Sequence, residues 1–269
     1  MRKIVFLSGL PRSGSTLLSA ILRQNPKVSA GMSSPMFSLV NAMINKLSNA
    51  NEFSVFFDDA ARARILRGLF TSYYADPARE VVFDTNRQWT SRLPVLLALF
   101  PDARFVCCVR PIGEILQSFE TLFQKNPLQV SRMFNFNPDL TVYDRFDHLM
   151  SSMGVVGYAV NSLKEAFYGP LSERLMIVSY NRLARDTAQT LALIYDFVGE
   201  PGFAHDLNNV AYAEPTFDNA LGLPGLHNVR ARVGVADQIV SLPPDLRARV
   251  DGVPFWAGDQ AFSRARVII

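Results

Sequence analysis

The chain predicts an α/β fold around a mainly parallel sheet, and three observations carry that expectation. Short apolar runs alternate with segments of helical periodicity. The run Phe105-Val106-Cys107-Cys108-Val109 is unbroken, as in a strand covered on both faces. A glycine-bearing turn, Gly9 to Gly14, separates the first strand from the first helix.

In chain order, the first strand is expected at Lys3 to Ser8. A helix follows from Ser15 to Arg23 and ends before Pro26, because the residue ahead of a proline is driven out of the helical region. Lys27 to Ala30 reads as a short second strand. Ser38 to Leu47 and Asp58 to Tyr74 read as helices, the second with arginines along one side. Glu80 to Asp84 is a compact strand, Leu93 to Phe100 a helix, Ala103 to Arg110 a buried strand and Ile112 to Gln124 a helix. The polar and aromatic stretch from Asn126 to Asp139 holds two prolines and predicts an exposed insertion or lid. Phe146 to Tyr168 reads as one long helix, Arg174 to Ser179 as a strand and Thr187 to Val198 as a helix. Beyond Pro201 the periodicity weakens until a short helix at Pro244 to Val250. With no repeat or low-complexity linker, residues 1–269 are read as one domain, and 126–170 as an insertion that shapes a binding pocket.

Composition narrows the function classes. Hydrophobic types make up 49% of 269 residues, enough for a sizeable core. Lys plus Arg number 27 against 24 Asp plus Glu, a balance unlike a nucleic-acid-coating surface but suited to an anionic ligand. The two cysteines, Cys107 and Cys108, are adjacent on a predicted strand, so they face opposite ways and do not bridge. That points to a reduced, cytoplasmic protein and supplies too few thiolates for a cysteine metal site. The apolar start, Ile4 to Leu7, is too short for a signal peptide, and no stretch reaches the roughly 20 apolar residues that span a bilayer. Neither a nucleic-acid partner, a transmembrane segment nor a metal is expected.

The most informative segment is Gly9-Leu10-Pro11-Arg12-Ser13-Gly14-Ser15-Thr16. Its glycines stand as in a phosphate-binding loop, where successive backbone N–H groups and a helix N-terminus converge on an anion. Ser13, Ser15 and Thr16 add hydroxyls. Ser15 occupies the place of the lysine that reaches the β- and γ-phosphates of a triphosphate, and Arg12 supplies a cation inside the loop instead. One phosphate carrying a second tetrahedral anion suits such a loop better than a magnesium triphosphate.

Pro11-Arg12-Ser13-Gly14-Ser15-Thr16-Leu17 resembles the 5′-phosphosulfate loop of the sulfotransferases, closest in flavour to the tyrosylprotein enzymes and their bacterial relatives. The resemblance implies a P-loop-type three-layer α/β fold with helical insertions. It also implies a co-substrate, 3′-phosphoadenosine 5′-phosphosulfate, used without a metal and leaving 3′-phosphoadenosine 5′-phosphate (PAP). The family's second signature is an arginine at a strand end and a serine eight residues later, which hold the 3′-phosphate; Arg110 and Ser118 match it. The geometry is sound, since ligands of open α/β sheets sit at the carboxyl ends of strands. Tyr180, after the strand ending at Ser179, matches a nucleotide-contacting tyrosine. Residues 220–235 match a loop that closes over the donor, with His227 near its reacting end and Arg230 and Arg232 within reach of phosphate. Arg87 stands near the place of a lysine that contacts the sulfonate, and Trp89 lines the acceptor pocket or simply packs.

The general base is not given by the resemblance. Relatives of the tyrosylprotein type carry a glutamate after the first helix, where this chain has Ala30-Gly31-Met32-Ser33-Ser34-Pro35. Asp84, expected to open into the cleft, and His227 are the candidates, beside the acceptor's own chemistry. The reading is therefore sulfonate transfer to a hydroxyl or amine acceptor. A small-molecule kinase and a non-catalytic adenosine-nucleotide binder are the alternatives.

Overall fold

The computed structural model describes residues 2–48, 52–234 and 242–269. Six strands form one parallel sheet: β1 (Lys3–Gly9), β2 (Val28–Ala30), β3 (Val81–Thr85), β4 (Arg104–Val109), β5 (Leu175–Ser179) and β6 (Arg266–Ile268), ordered β2-β3-β1-β4-β5-β6. From β1 the chain passes to the sheet edge at β2, steps back to β3 beside β1, then crosses β1 to β4. The reversal falls between β1 and β4, and their carboxyl ends open the crevice in which such sheets bind ligands.

Alternation along the strands separates two cores. Ile4 and Phe6 of β1, with Phe105, Cys107 and Val109 of β4, face one layer; Val5, Leu7, Val106 and Cys108 face the other. On the second side lie α1 (Ser15–Leu22) and two helices that follow β5, described below. The first side carries α2 (Met36–Leu47), α3 (Asp59–Tyr73), α4 (Leu93–Leu99) and α5 (Ile112–Lys125). Phe6 anchors it, with ring centroids of Phe105 at 5.0 Å, Trp89 at 5.2 Å and Phe70 at 6.0 Å. Each such fully buried ring contributes about 1.5–3 kcal/mol by removal from water. Both cysteines are buried and unbridged, and burial pushes their thiols well above the ordinary value.

The long helix expected over Phe146 to Tyr168 is two helices, α6 (Val142–Met150) and α7 (Val155–Tyr168). A capping box, Thr141 with Asp144, starts α6 earlier than the apolar pattern suggests. The break is steric: a Cβ on Gly154 would collide with the His148 carbonyl, and one on Gly157 with that of Ser151, so the chain turns back on itself through glycine. The pair is pinned to α5 by Arg145, which grips Glu120 with Nε at 3.0 Å and Nη2 at 2.5 Å.

The remaining elements include several with no clear periodicity in sequence. Tyr180 opens a short helix, α8 (Tyr180–Arg185), whose N-cap Ser179 accepts from the Arg182 N–H. After α9 (Thr187–Val198), Pro215 starts α10 (Pro215–Ala220), with proline at a first-turn position where no N–H is needed. Helices α8 and α9 complete the layer with α1. The C-terminal end supplies α11 (Pro244–Ala248), α12 (Phe255–Gly258) and edge strand β6. Among the described residues, no helix is long and apolar enough to cross a membrane.

Candidate active site

The loop between β1 and α1 is held open by backbone conformations that few residues adopt. Gly9 has φ 105° and Gly14 φ 93°, and Arg12 itself sits at φ 57°. A Cβ on Gly14 would lie 2.8 Å from the Tyr180 ring, so glycine lets α8 close against the loop. Gly14 offers no side-chain cap, and the first helical hydrogen bond runs from Leu18 N–H to its carbonyl at 2.9 Å. The amides of Ser15, Thr16 and Leu17 therefore precede the helical ladder at its positive end. Ser13 is buried and donates to the Pro11 carbonyl at 3.2 Å, bracing the turn.

Arg12 is the hub. Its Nε donates to Ser118 Oγ on α5 at 3.1 Å, and its Nη1 donates to the Leu226 carbonyl. Its pKa falls to about 10, first through burial and then through the like charge of Arg110, with Asp218 and Tyr180 opposing. Arg110 is buried at the end of β4, its guanidinium 4.5 Å over the Tyr180 ring and its Nε 2.8 Å from Glu114 Oε2. Two cations held this close in partial burial, with a single first-turn carboxylate beside Arg110, form a site that a dianion would relieve. The Arg12–Ser118 contact joins the loop and the Arg110–Ser118 pair in one continuous strip.

Arg87 follows β3, and its backbone is fixed by Ser8 Oγ donating to its carbonyl at 3.0 Å. Arg87 is exposed, its guanidinium makes no hydrogen bond or ion pair among the described residues, and desolvation by the groups around it lowers its pKa. Asp84, expected to face the cleft, is instead fully buried, with Ser34 Oγ donating to Oδ1 at 2.7 Å and Trp89 Nε1 at 2.9 Å. Its place in β3 explains this: it shares the sheet face of Phe6 and Val82, so its side chain enters the aromatic core. Burial raises its pKa. Trp89 packs in the same core, fully buried, and does not line the cleft.

The segment after α9 folds over the loop. Tyr212 and Val229 form an antiparallel bridge, with Val210 N–H donating to the Ala231 carbonyl at 2.7 Å. Between them α10 and a turn carry His227 toward Arg12 through Leu226. His227 Nδ1 lies 2.5 Å from Asp218 Oδ1, and its backbone N–H donates to Asp218 Oδ2 at 2.9 Å. Asp218 is fully buried, yet the His227 side chain keeps 16% of its surface. Burial and Arg12 push the imidazole's pKa below its ordinary 6.5, against the pull of Asp218 and Glu214. The stretch from Asn126 packs onto this turn: Arg132 N–H donates to the Leu221 carbonyl at 3.0 Å. Arg230 is exposed. Arg232 lines a cavity of about 480 Å³ between α8–α9 and residues 207–208 and 232–233, shared with Arg185. Val235, the last residue of the expected covering loop, lies outside the described residues.

Asp218, Glu214 and the Leu226 carbonyl were not legible as site groups. Asp218 stands on a six-residue helix in a proline- and asparagine-rich stretch, nine positions before its histidine.

Residues 5–205 match the sequence model described as the Sulfotransferase family. The chain belongs to that family. The match spans the loop, Arg110, Ser118 and Tyr180, and ends before Asp218 and His227. Solved structures share this sulfotransferase's fold at low identity. The sulfotransferase domain of the Synechococcus PCC 7002 olefin synthase aligns with TM-score 0.52 and 16% identity, covering 93% of this chain and 94% of its own. The sulfotransferase domain from the curacin biosynthetic pathway aligns with TM-score 0.50 and 16% identity over 80% and 79%. A sulfotransferase from Alicyclobacillus acidocaldarius aligns with TM-score 0.50 and 15% identity over 82% and 90%.

Proposed function

We propose that this sulfotransferase moves the sulfonate of 3′-phosphoadenosine 5′-phosphosulfate to a hydroxyl or amine acceptor, in the cytoplasm and without a metal. The observation that carries the reading is the Arg12–Ser118 contact at 3.1 Å, which joins the loop to the strand-end pair in one strip. The 5′ end of the nucleotide is assigned to the loop amides of residues 13–16 and Arg12. The 3′-phosphate is assigned to Arg110 and Ser118, with Tyr180 beside the nucleoside and Arg232 at the outer margin.

The chemistry is an in-line displacement on sulfur. The acceptor's lone pair forms the new S–O or S–N bond while the bond to the 5′-phosphate oxygen breaks and leaves its electron pair there. Arg12 and the loop amides meet that growing charge, the interaction that most lowers such a barrier. Arg87, at the neighbouring strand end and without an ion pair among the described residues, is assigned to the sulfonate oxygens. His227, neutral at pH 7 by the direction of its pKa, is assigned the acceptor's proton. The core position of Asp84 suits holding the 31–35 loop against the 86–89 turn.

Calorimetry in EDTA with PAP, 5′-AMP and ATP tests the assignment. Tight binding is expected for PAP alone. Stronger binding of ATP once magnesium is added would establish the kinase alternative instead.

A further inference from the structure

We propose that Asp218 is the positioning residue of a carboxylate–histidine pair, fixing His227 as the Nδ1–H tautomer so that Nε2 receives the acceptor's proton. The inference rests on the sulfonate-transfer reading, but its geometry lies in residues that the family match does not reach.

Both oxygens of Asp218 are engaged by one residue. Oδ1 faces His227 Nδ1 at 2.5 Å, and Oδ2 accepts the His227 backbone N–H at 2.9 Å. A fully buried carboxylate is costly without such donors, and here they fix both the imidazole's rotation and which nitrogen carries hydrogen. Asp218 is itself held rigidly: its carbonyl accepts from Leu221 N–H at 3.2 Å and Leu223 N–H at 3.0 Å, wrapping the end of α10 round it. His227 Nε2 makes no hydrogen bond among the described residues, and the side chain keeps partial access to solvent.

The charged groups facing the imidazole come from two directions. Asp218 and Glu214 belong to its own covering segment and favour the imidazolium; Arg12, from the loop after β1, disfavours it. The edge of the Phe217 ring, with centroid 5.6 Å away, closes a third side. As the acceptor oxygen or nitrogen bonds to sulfur, its hydrogen passes to Nε2. The imidazolium then forms beside a carboxylate already in place, and the leaving electron pair goes to the phosphate next to Arg12. No further reactant is required.

A purely structural Asp218 would staple the turn through the His227 backbone N–H and do no more. Asp218→Asn separates the two roles, because an amide oxygen still accepts from that N–H while the charge and the Nδ1 acceptor are lost. Nitrogen-15 histidine spectra, assigned with His227→Gln, are expected to show Nδ1–H in the native protein and a shift toward Nε2–H in Asp218→Asn. Release of PAP from the sulfonated donor, with water as the acceptor, is expected to fall by about 100-fold or more, the scale on which a wrong tautomer disables a paired histidine. Its acid limb should move to lower pH, since a group that raises the imidazole pKa is gone. PAP affinity should stay within about twofold, and Asp218→Glu should restore part of the turnover.

Native His227 protonated on Nε2 overturns the proposal without any variant. So does Asp218→Asn with native turnover and acid limb. If native protein binds no PAP, the sulfonate-transfer reading fails instead, whatever the tautomer shows.

Discussion

The donor strip and the covering segment reach the same cleft by different routes. Arg110 directly follows β4 and Arg12 lies in the loop that leaves β1, and these two central strands are paired in register. His227 and Asp218 stand on a six-residue helix and a turn, attached through the Tyr212–Val229 bridge and the Leu226 carbonyl. Groups on strand ends are pre-set by the core. Groups on the covering segment depend on a few polar contacts, one of which is Arg12 itself. On the proposed reading, anion binding and proton transfer are separable in sequence and joined through one guanidinium.

The most forceful way to break that comparison is to remove the hub. Arg12→Ala should lower turnover by about 10²–10³, the scale of losing one donor to a developing oxyanion, and weaken PAP binding as well. His227→Ala should cut turnover comparably while leaving PAP affinity within about twofold; calorimetry beside turnover separates the two patterns. If His227→Ala weakens PAP as much as Arg12→Ala does, the two regions are not separable.

Arg110→Ala comes next, with an expected loss of about 2–3 kcal/mol in PAP affinity, since charge-assisted contacts to a phosphate are worth that much. The same variant should change binding of adenosine 5′-phosphosulfate, which lacks the 3′-phosphate, much less. Gly14→Ala should cost about 1–2 kcal/mol, read as a lowered Tm and weaker PAP binding, because φ 93° and the Tyr180 ring both oppose a Cβ. The smallest effect is in pH. Turnover should be flat near neutrality and fall through a midpoint below 6.5 as the imidazole takes a proton, since burial lowers its pKa. Neutralising Arg12 should move that midpoint upward, because Arg12 is one of the groups holding the pKa down.

The placement of much of the proposed donor strip was legible in the amino-acid sequence. An unbroken apolar run identified β4, and glycines flanking an arginine identified the loop, because both are local requirements of backbone and burial. The contact between Arg12 and Ser118 was not, since it joins residues 106 positions apart. Tyr180 was placed at a strand end but opens a helix, where the Ser179 cap turns the chain. Asp84 shows the limit of reading strand ends: one step of alternation decides between cleft and core. The α6–α7 break was hidden because Gly154 and Gly157 act through close backbone approach, which periodicity does not register. Helix α10 is too short for an apolar repeat, so Asp218 had no signal beyond its spacing from a histidine.

The adjacent cysteines on β4 have a practical consequence. One thiol lies in each core, and neither is exposed or readily ionised while the sheet is intact. Reaction with an aromatic disulfide reagent therefore reports exposure of β4 without any engineered label. Protection of that reaction by PAP would reveal how strongly ligand capture at the strand ends is coupled to the integrity of the central sheet.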